Sequence, residues 1–124
     1  MLGFLNRFGR ARELRLLDQE LRAAGLHPPL VPEAVKLTAF RLLRNSGGVT
    51  PASAARAAAL LVYCILGPAG FAAENGDART LAMEARIERA IEAGDSLDAK
   101  LVLLALHAGL VQPDVLARYG LEAG

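Results

Sequence analysis

The stretch Ala57-Ala58-Ala59-Leu60-Leu61-Val62-Tyr63-Cys64-Ile65-Leu66-Gly67-Pro68-Ala69-Gly70-Phe71-Ala72-Ala73 runs seventeen residues without a charge. Such a run belongs either in a bilayer or in a protein core. A membrane-spanning helix needs roughly 20 apolar residues, so this run is near the lower limit. Its interior also holds Gly67-Pro68-Ala69-Gly70, a sequence that stops a helix. The spacing therefore predicts a helix over Pro51–Leu66 with Arg56 inside it, buried in a soluble helical bundle. Thr50 suits the cap of this helix and Pro51 its first position. A loop is expected after Gly67-Pro68, turning at Asn75-Gly76.

Five more helices can be placed around this one. The first covers about Phe4–Ala24, with Leu14, Leu17, Leu21 and Ala24 at heptad spacing and Gly25 closing it. Asp18 stands four residues before Arg22, as a helix ion pair requires. A rigid His27-Pro28-Pro29 connector leads to a helix from Pro32 to Asn45, buried through Val35, Ala39, Leu42 and Leu43. Next comes Ala78–Ala93, with Met83, Ile87, Ala90 and Ile91 as one stripe and Glu84, Glu88 and Glu92 as another. Asp95 is read as the cap of a fifth helix, with Asp98 in the capping-box position. That helix runs to Ala108, is apolar nearly all round, and is expected to be central beside Pro51–Leu66. A short last helix begins at Pro113 and ends at Gly120. Strand alternation is absent. The fold class is thus all-α, a compact bundle of about six helices around two nearly all-apolar central ones, forming one domain over residues 1–124 with residues 1–10 prone to fray.

Composition narrows the core and the compartment. Apolar residues make up 53% of the chain, but only 5% are aromatic and Trp is absent, so Leu, Ala, Val and Ile must fill the interior. The single cysteine, Cys64, cannot form an internal disulfide and is read as a small buried hydrophobe in a reducing cytoplasm. The N-terminus lacks the order of a secretory signal, because Leu2, Phe4, Leu5 and Phe8 are interleaved with Arg7, Arg10 and Arg12. Basic residues are twelve Arg to two Lys, a ratio that points to a GC-rich coding genome.

Reactive constellations are missing. His27 and His107 are far apart in sequence and neither has a His or Cys at ligand spacing. The Glu84, Glu88, Glu92 series has no Glu-x-x-His beside it, so it reads as a solvated acidic face rather than a metal site. His107 is expected to be a hydrogen-bonded core residue. There is no nucleophile elbow, and Gly47-Gly48 is followed by no Gly-Lys-Ser/Thr. No catalytic, cofactor-binding or metal-binding residue is assigned, and no cofactor is expected.

Net charge is +1 but unevenly spread. Residues 1–73 carry nine basic and four acidic side chains, net +5; residues 74–124 carry five basic and nine acidic, net −4. A dipolar chain of this kind can attract an anionic partner or the acidic end of a second copy. The leading expectation is a non-enzymatic interaction or regulatory module, a homo-oligomer or the binder of a protein partner. Leu14, Leu17, Leu21 and Ala24 are its expected seam, and Arg7, Arg10 and Arg12 its basic contacts. One alternative is a DNA-binding regulator, because Leu101–Gly120 partly matches a helix-turn-helix. Ala105 and Gly109 lie four apart and Val115 is at a packing position, but the reading helix would hold Asp114 and a single Arg, too few cations for strong phosphate binding. A second alternative is a peripheral membrane protein held by residues 1–12. Nucleic-acid binding and integral membrane insertion are both the less expected outcomes.

Overall fold

The break at Gly67-Pro68 organises the bundle. In the computed structural model, which describes the backbone of residues 2–122 and the side chains of residues 11–122, the chain forms α1 (Leu2–Ala23), a 3-10 turn (Pro28–Leu30), α2 (Glu33–Asn45), α3 (Pro51–Asn75), α4 (Asp77–Ala93), α5 (Leu97–His107) and α6 (Pro113–Tyr119). The described residues form six α-helices and no strand. α3 starts where the sequence predicts. Ser53 N–H donates to Thr50 Oγ1 at 3.0 Å and Thr50 N–H donates to Ser53 Oγ at 2.9 Å, a reciprocal capping box with Pro51 at the first position.

The expected loop after Leu66 is instead a second helical segment. Gly67 has φ 81 and ψ 173, a left-handed backbone that glycine adopts without steric cost. The chain turns there, and Pro68 then stands at the start of a new helix, where its missing N–H and fixed φ do no harm. The missing N–H also leaves the Cys64 carbonyl without its helical donor. Gln112, at the start of α6, supplies one: its N–H donates to Cys64 O at 2.8 Å. The Gln112 side chain meanwhile accepts from Asp114 N–H at 2.9 Å and caps α6. One residue thus joins the kink of α3 to the start of α6. A Cβ at position 67 would lie 2.6 Å from Gln112 Oε1, so glycine is needed for the close approach as well as for its φ.

α3 packs against α1, α2, α4, α5 and α6. Leu60, Leu61, Val62, Tyr63 and Cys64 are all fully buried. By length and composition α3 is long and apolar enough to cross a membrane, but the break divides it into segments each shorter than the roughly 20 residues a span needs. α5 is not the second central helix that its composition suggests. Its Leu101, Val102 and Ala105 are buried, yet Leu103 is 45% exposed and Leu104 and Leu106 are half-buried. α5 packs on α2, α3 and α4 and leaves its remaining side open.

Three local expectations are corrected by the observed pairings. Asp18 does not reach along α1 to Arg22; it pairs with Lys36 of α2 at 2.7 Å. Lys36 is nearly buried, and a buried ammonium is tolerated only beside a counter-charge. Arg44 reaches Glu13 and ties the same two helices together. Ser96 rather than Asp95 caps α5, its side chain accepting from Ala99 N–H at 3.1 Å. Asp98 is engaged elsewhere, receiving both Nε and Nη2 of Arg86 at 3.1 and 2.8 Å.

Candidate functional site

The sequence-predicted seam is part of the core. Leu17 and Leu21 have no exposure, Ala24 is 8% exposed, and Leu14 is half-buried against the same cluster. The reason is that α1 lays this stripe on α3 within the same chain, so it offers no free face to a partner. Arg12 is exposed. The expectations for Arg7 and Arg10 fall on side chains outside the described residues, and residues 2–10, read as prone to fray, have helical backbone at the start of α1. His107 is exposed rather than buried, because it lies on the open side of α5, and His27 is exposed as well. Among the described residues no group of three His, Cys, Asp or Glu side chains could hold a metal ion.

Sequence reasoning missed the polar cluster between α3, α4 and α6. The hydroxyls of Tyr63 and Tyr119 are 2.9 Å apart. Tyr63 also donates weakly to Glu84 Oε2 at 3.4 Å, and Arg118 Nη2 lies 3.0 Å from the same oxygen. The ring of Tyr63 is edge-on to Phe71 and to Tyr119, with centroids 5.6 and 6.4 Å away, the arrangement that aromatic quadrupoles favour. Burial, together with the hydrogen bond shared with Tyr119, pushes the Tyr63 phenol well above its ordinary value. Burial raises Tyr119 too. Both hydroxyls therefore stay protonated at neutral pH, and the cluster works as a clasp rather than as a source of phenolate. Cys64, beneath it, is fully buried, and desolvation pushes its thiol up to about 12, which removes thiolate chemistry at neutral pH.

The α5–α6 unit has part of the packing of a helix-turn-helix. Ala105 and Val115 are fully buried, and Gly109, with φ 70, makes the turn. α6 has only seven residues, and its one cation, Arg118, is engaged by Glu84.

Two grooves flank α4. The N-terminal half of α4 borders a hollow of about 320 Å³ shared with α1 and α3, whose walls include Ala23, Ala55, Ala59 and Ala82 and whose rim carries Arg56, Arg79 and Arg86. The C-terminal half borders a smaller groove of about 200 Å³ shared with α5, lined by Ile91, Ala99, Val102, Leu103, Leu106 and the C-terminal Leu121. Ile91 is 42% exposed there. Ile91 also forms one side of a shallow hollow with Glu88, Arg89 and Glu92, so the apolar groove has a charged shoulder in which carboxylates outnumber the one cation, and Asp95 is exposed just beyond it. The apolar content of α5 could have signalled this second groove; the first draws on three separate helices and has no local signature. Comparison with protein-family models, with characterised proteins and with solved structures found no match for this chain.

Proposed function

We propose that this protein is a non-enzymatic interaction module that pairs with a second copy of itself through the α4–α5 groove. The observation that carries this reading is the exposure of Ile91 and Leu103, two large aliphatic side chains at one apolar groove. An apolar surface rimmed by charge is what protein contacts cover. The occupant is the N-terminal stretch of the second copy. Leu2, Phe4, Leu5 and Phe8 match the apolar floor, and Arg7, Arg10 and Arg12 match the carboxylates of Glu88, Glu92 and Asp95. Within one chain, the described part of α1 packs on α2, α3 and the 3-10 turn. Reciprocal exchange of two such arms gives a closed two-fold dimer.

Light scattering behind size exclusion tests the proposal. The unmodified protein is expected to elute as a dimer. Ile91→Glu with Leu103→Glu is expected to give a folded monomer, as is Glu88→Arg with Glu92→Arg. Adding Arg7→Glu and Arg10→Glu to the latter pair restores the dimer if the charges meet across the interface. A folded wild-type monomer at every concentration would overturn the proposal, and a dimer indifferent to both pairs of changes would overturn this interface.

A further inference from the structure

We infer that the groove between α1, α3 and α4 binds a monocarboxylate with a short apolar tail, such as a medium-chain fatty acid. This site is separate from the α4–α5 surface and does not depend on self-association. The hollow of about 320 Å³ is at the lower end of the size range of small-molecule sites, which are mostly apolar with a few convergent polar groups. Small side chains make the space. Ala55 and Ala59 of α3 face Ala82 of α4, with Phe71 and Met83 beneath.

The rim selects charge. Arg86 is held by two hydrogen bonds to Asp98 and a third, at 3.3 Å, to the Arg56 carbonyl. Its own charge is therefore answered, and it acts as a fixed wall. Arg56 and Arg79 are exposed, and among the described residues neither has a carboxylate within ion-pairing distance. Glu20 is the one carboxylate on the rim. Three guanidiniums against Glu20 and Asp98 leave one net positive charge, which suits a single carboxylate better than a phosphate dianion. Both free guanidiniums can present paired N–H donors to carboxylate oxygens while the alanine side chains line the groove beside the apolar tail.

Octanoate titrated into the intact protein and followed by calorimetry tests this. Octanoate is expected to bind at one site per chain, with octanol and acetate each binding far more weakly. Arg56→Gln with Arg79→Gln, both at exposed positions, is expected to weaken octanoate by about tenfold or more while leaving the melting temperature unchanged. Ala59→Phe fills the hollow and is expected to abolish binding, with circular dichroism checking the fold. No heat with octanoate would overturn the inference. Octanol binding as tightly as octanoate would overturn the role of the arginines, and acetate binding as tightly would reduce the site to a surface charge.

Discussion

α3 and α5 are the two helices whose composition is apolar nearly all round, yet they end in different environments. α3 packs on five other helices and buries Leu60 through Cys64 completely, whereas α5 leaves Leu103 nearly half exposed. Composition says how much apolar surface a helix carries; it does not say how many neighbours the chain supplies to cover it. α3 has five helical neighbours because its break at Gly67 lets the second half turn and α6 dock at the kink. α5 is continuous and lies at the edge of the bundle. The uncovered remainder of α5 is where the proposed self-association surface lies.

The sharpest way to break this comparison is to truncate one leucine on each helix. Leu61→Ala is expected to cost about 3 kcal/mol, since it removes a fully buried side chain and leaves a cavity. Leu103→Ala is expected to change monomer stability by less than about 0.5 kcal/mol. Urea denaturation, performed on a background carrying Glu88→Arg and Glu92→Arg so that association does not contribute, measures both. Equal losses would mean that α5 is as central as its composition suggests.

The dry interior of α3 also has a pH signature. The Cys64 thiol is pushed up to about 12 by burial, against about 8.5 in an unfolded chain. A group whose folded pKa is raised contributes stability that is present below its unfolded pKa and lost as pH rises toward the folded value. Stability is therefore expected to be flat near neutrality and to fall above about pH 8.5, by about 1.4 kcal/mol per pH unit from this group, or about 2 kcal/mol by pH 10. Tyr63 and Tyr119, also raised, steepen the fall above about pH 10. Cys64→Ala should remove the first part of the slope. A slope unchanged in that variant would place water beside α3.

Gly67→Ala probes why α3 has its extra neighbours. The substitution places a Cβ against Gln112 Oε1 and imposes a left-handed φ on alanine. A cost of about 2 kcal/mol is expected from backbone strain and the disturbed cap of α6. Thermal melting measures it, and a neutral result would mean that the kink is not held by the α6 contact.

What the sequence made legible was local. The helix starts at Thr50-Pro51 and Pro113, the stops at Gly25, Gly94 and Gly120, and the break at Gly67 each depend on a few neighbouring residues, and all appear in the structure. What misled were readings that needed to know the neighbours. The Asp18–Arg22 spacing is correct for a pair, but Lys36 offers Asp18 a less exposed partner. Asp95 can cap a helix, but Ser96 is one residue better placed. The Leu14–Ala24 stripe has the period of an interface, and a heptad stripe does not record whether its partner helix belongs to the same chain. Both grooves arise where separate helices meet, so their linings are scattered through the sequence and carry no pattern.

The Tyr63 clasp gives the smallest expected loss within α3 and the finest test. Tyr63→Phe keeps the buried ring and its edge-on contacts but removes the hydroxyl that Tyr119 and Glu84 share. A loss of about 1 kcal/mol is expected, the net worth of an intramolecular hydrogen bond. Tyr119→Phe should cost a similar amount. Because the two hydroxyls satisfy one another, the double variant is expected to cost less than the two single losses combined, and the shortfall is the coupling energy between α3 and α6. α5 has a polar tie of its own, the two hydrogen bonds from Arg86 of α4 to Asp98, but that tie lies in its first turn, whereas the clasp lies midway along α3. If the double variant loses the full combined amount, the hydroxyls act separately, and α6 is held on α3 by Val115 and the Gln112 backbone bond alone.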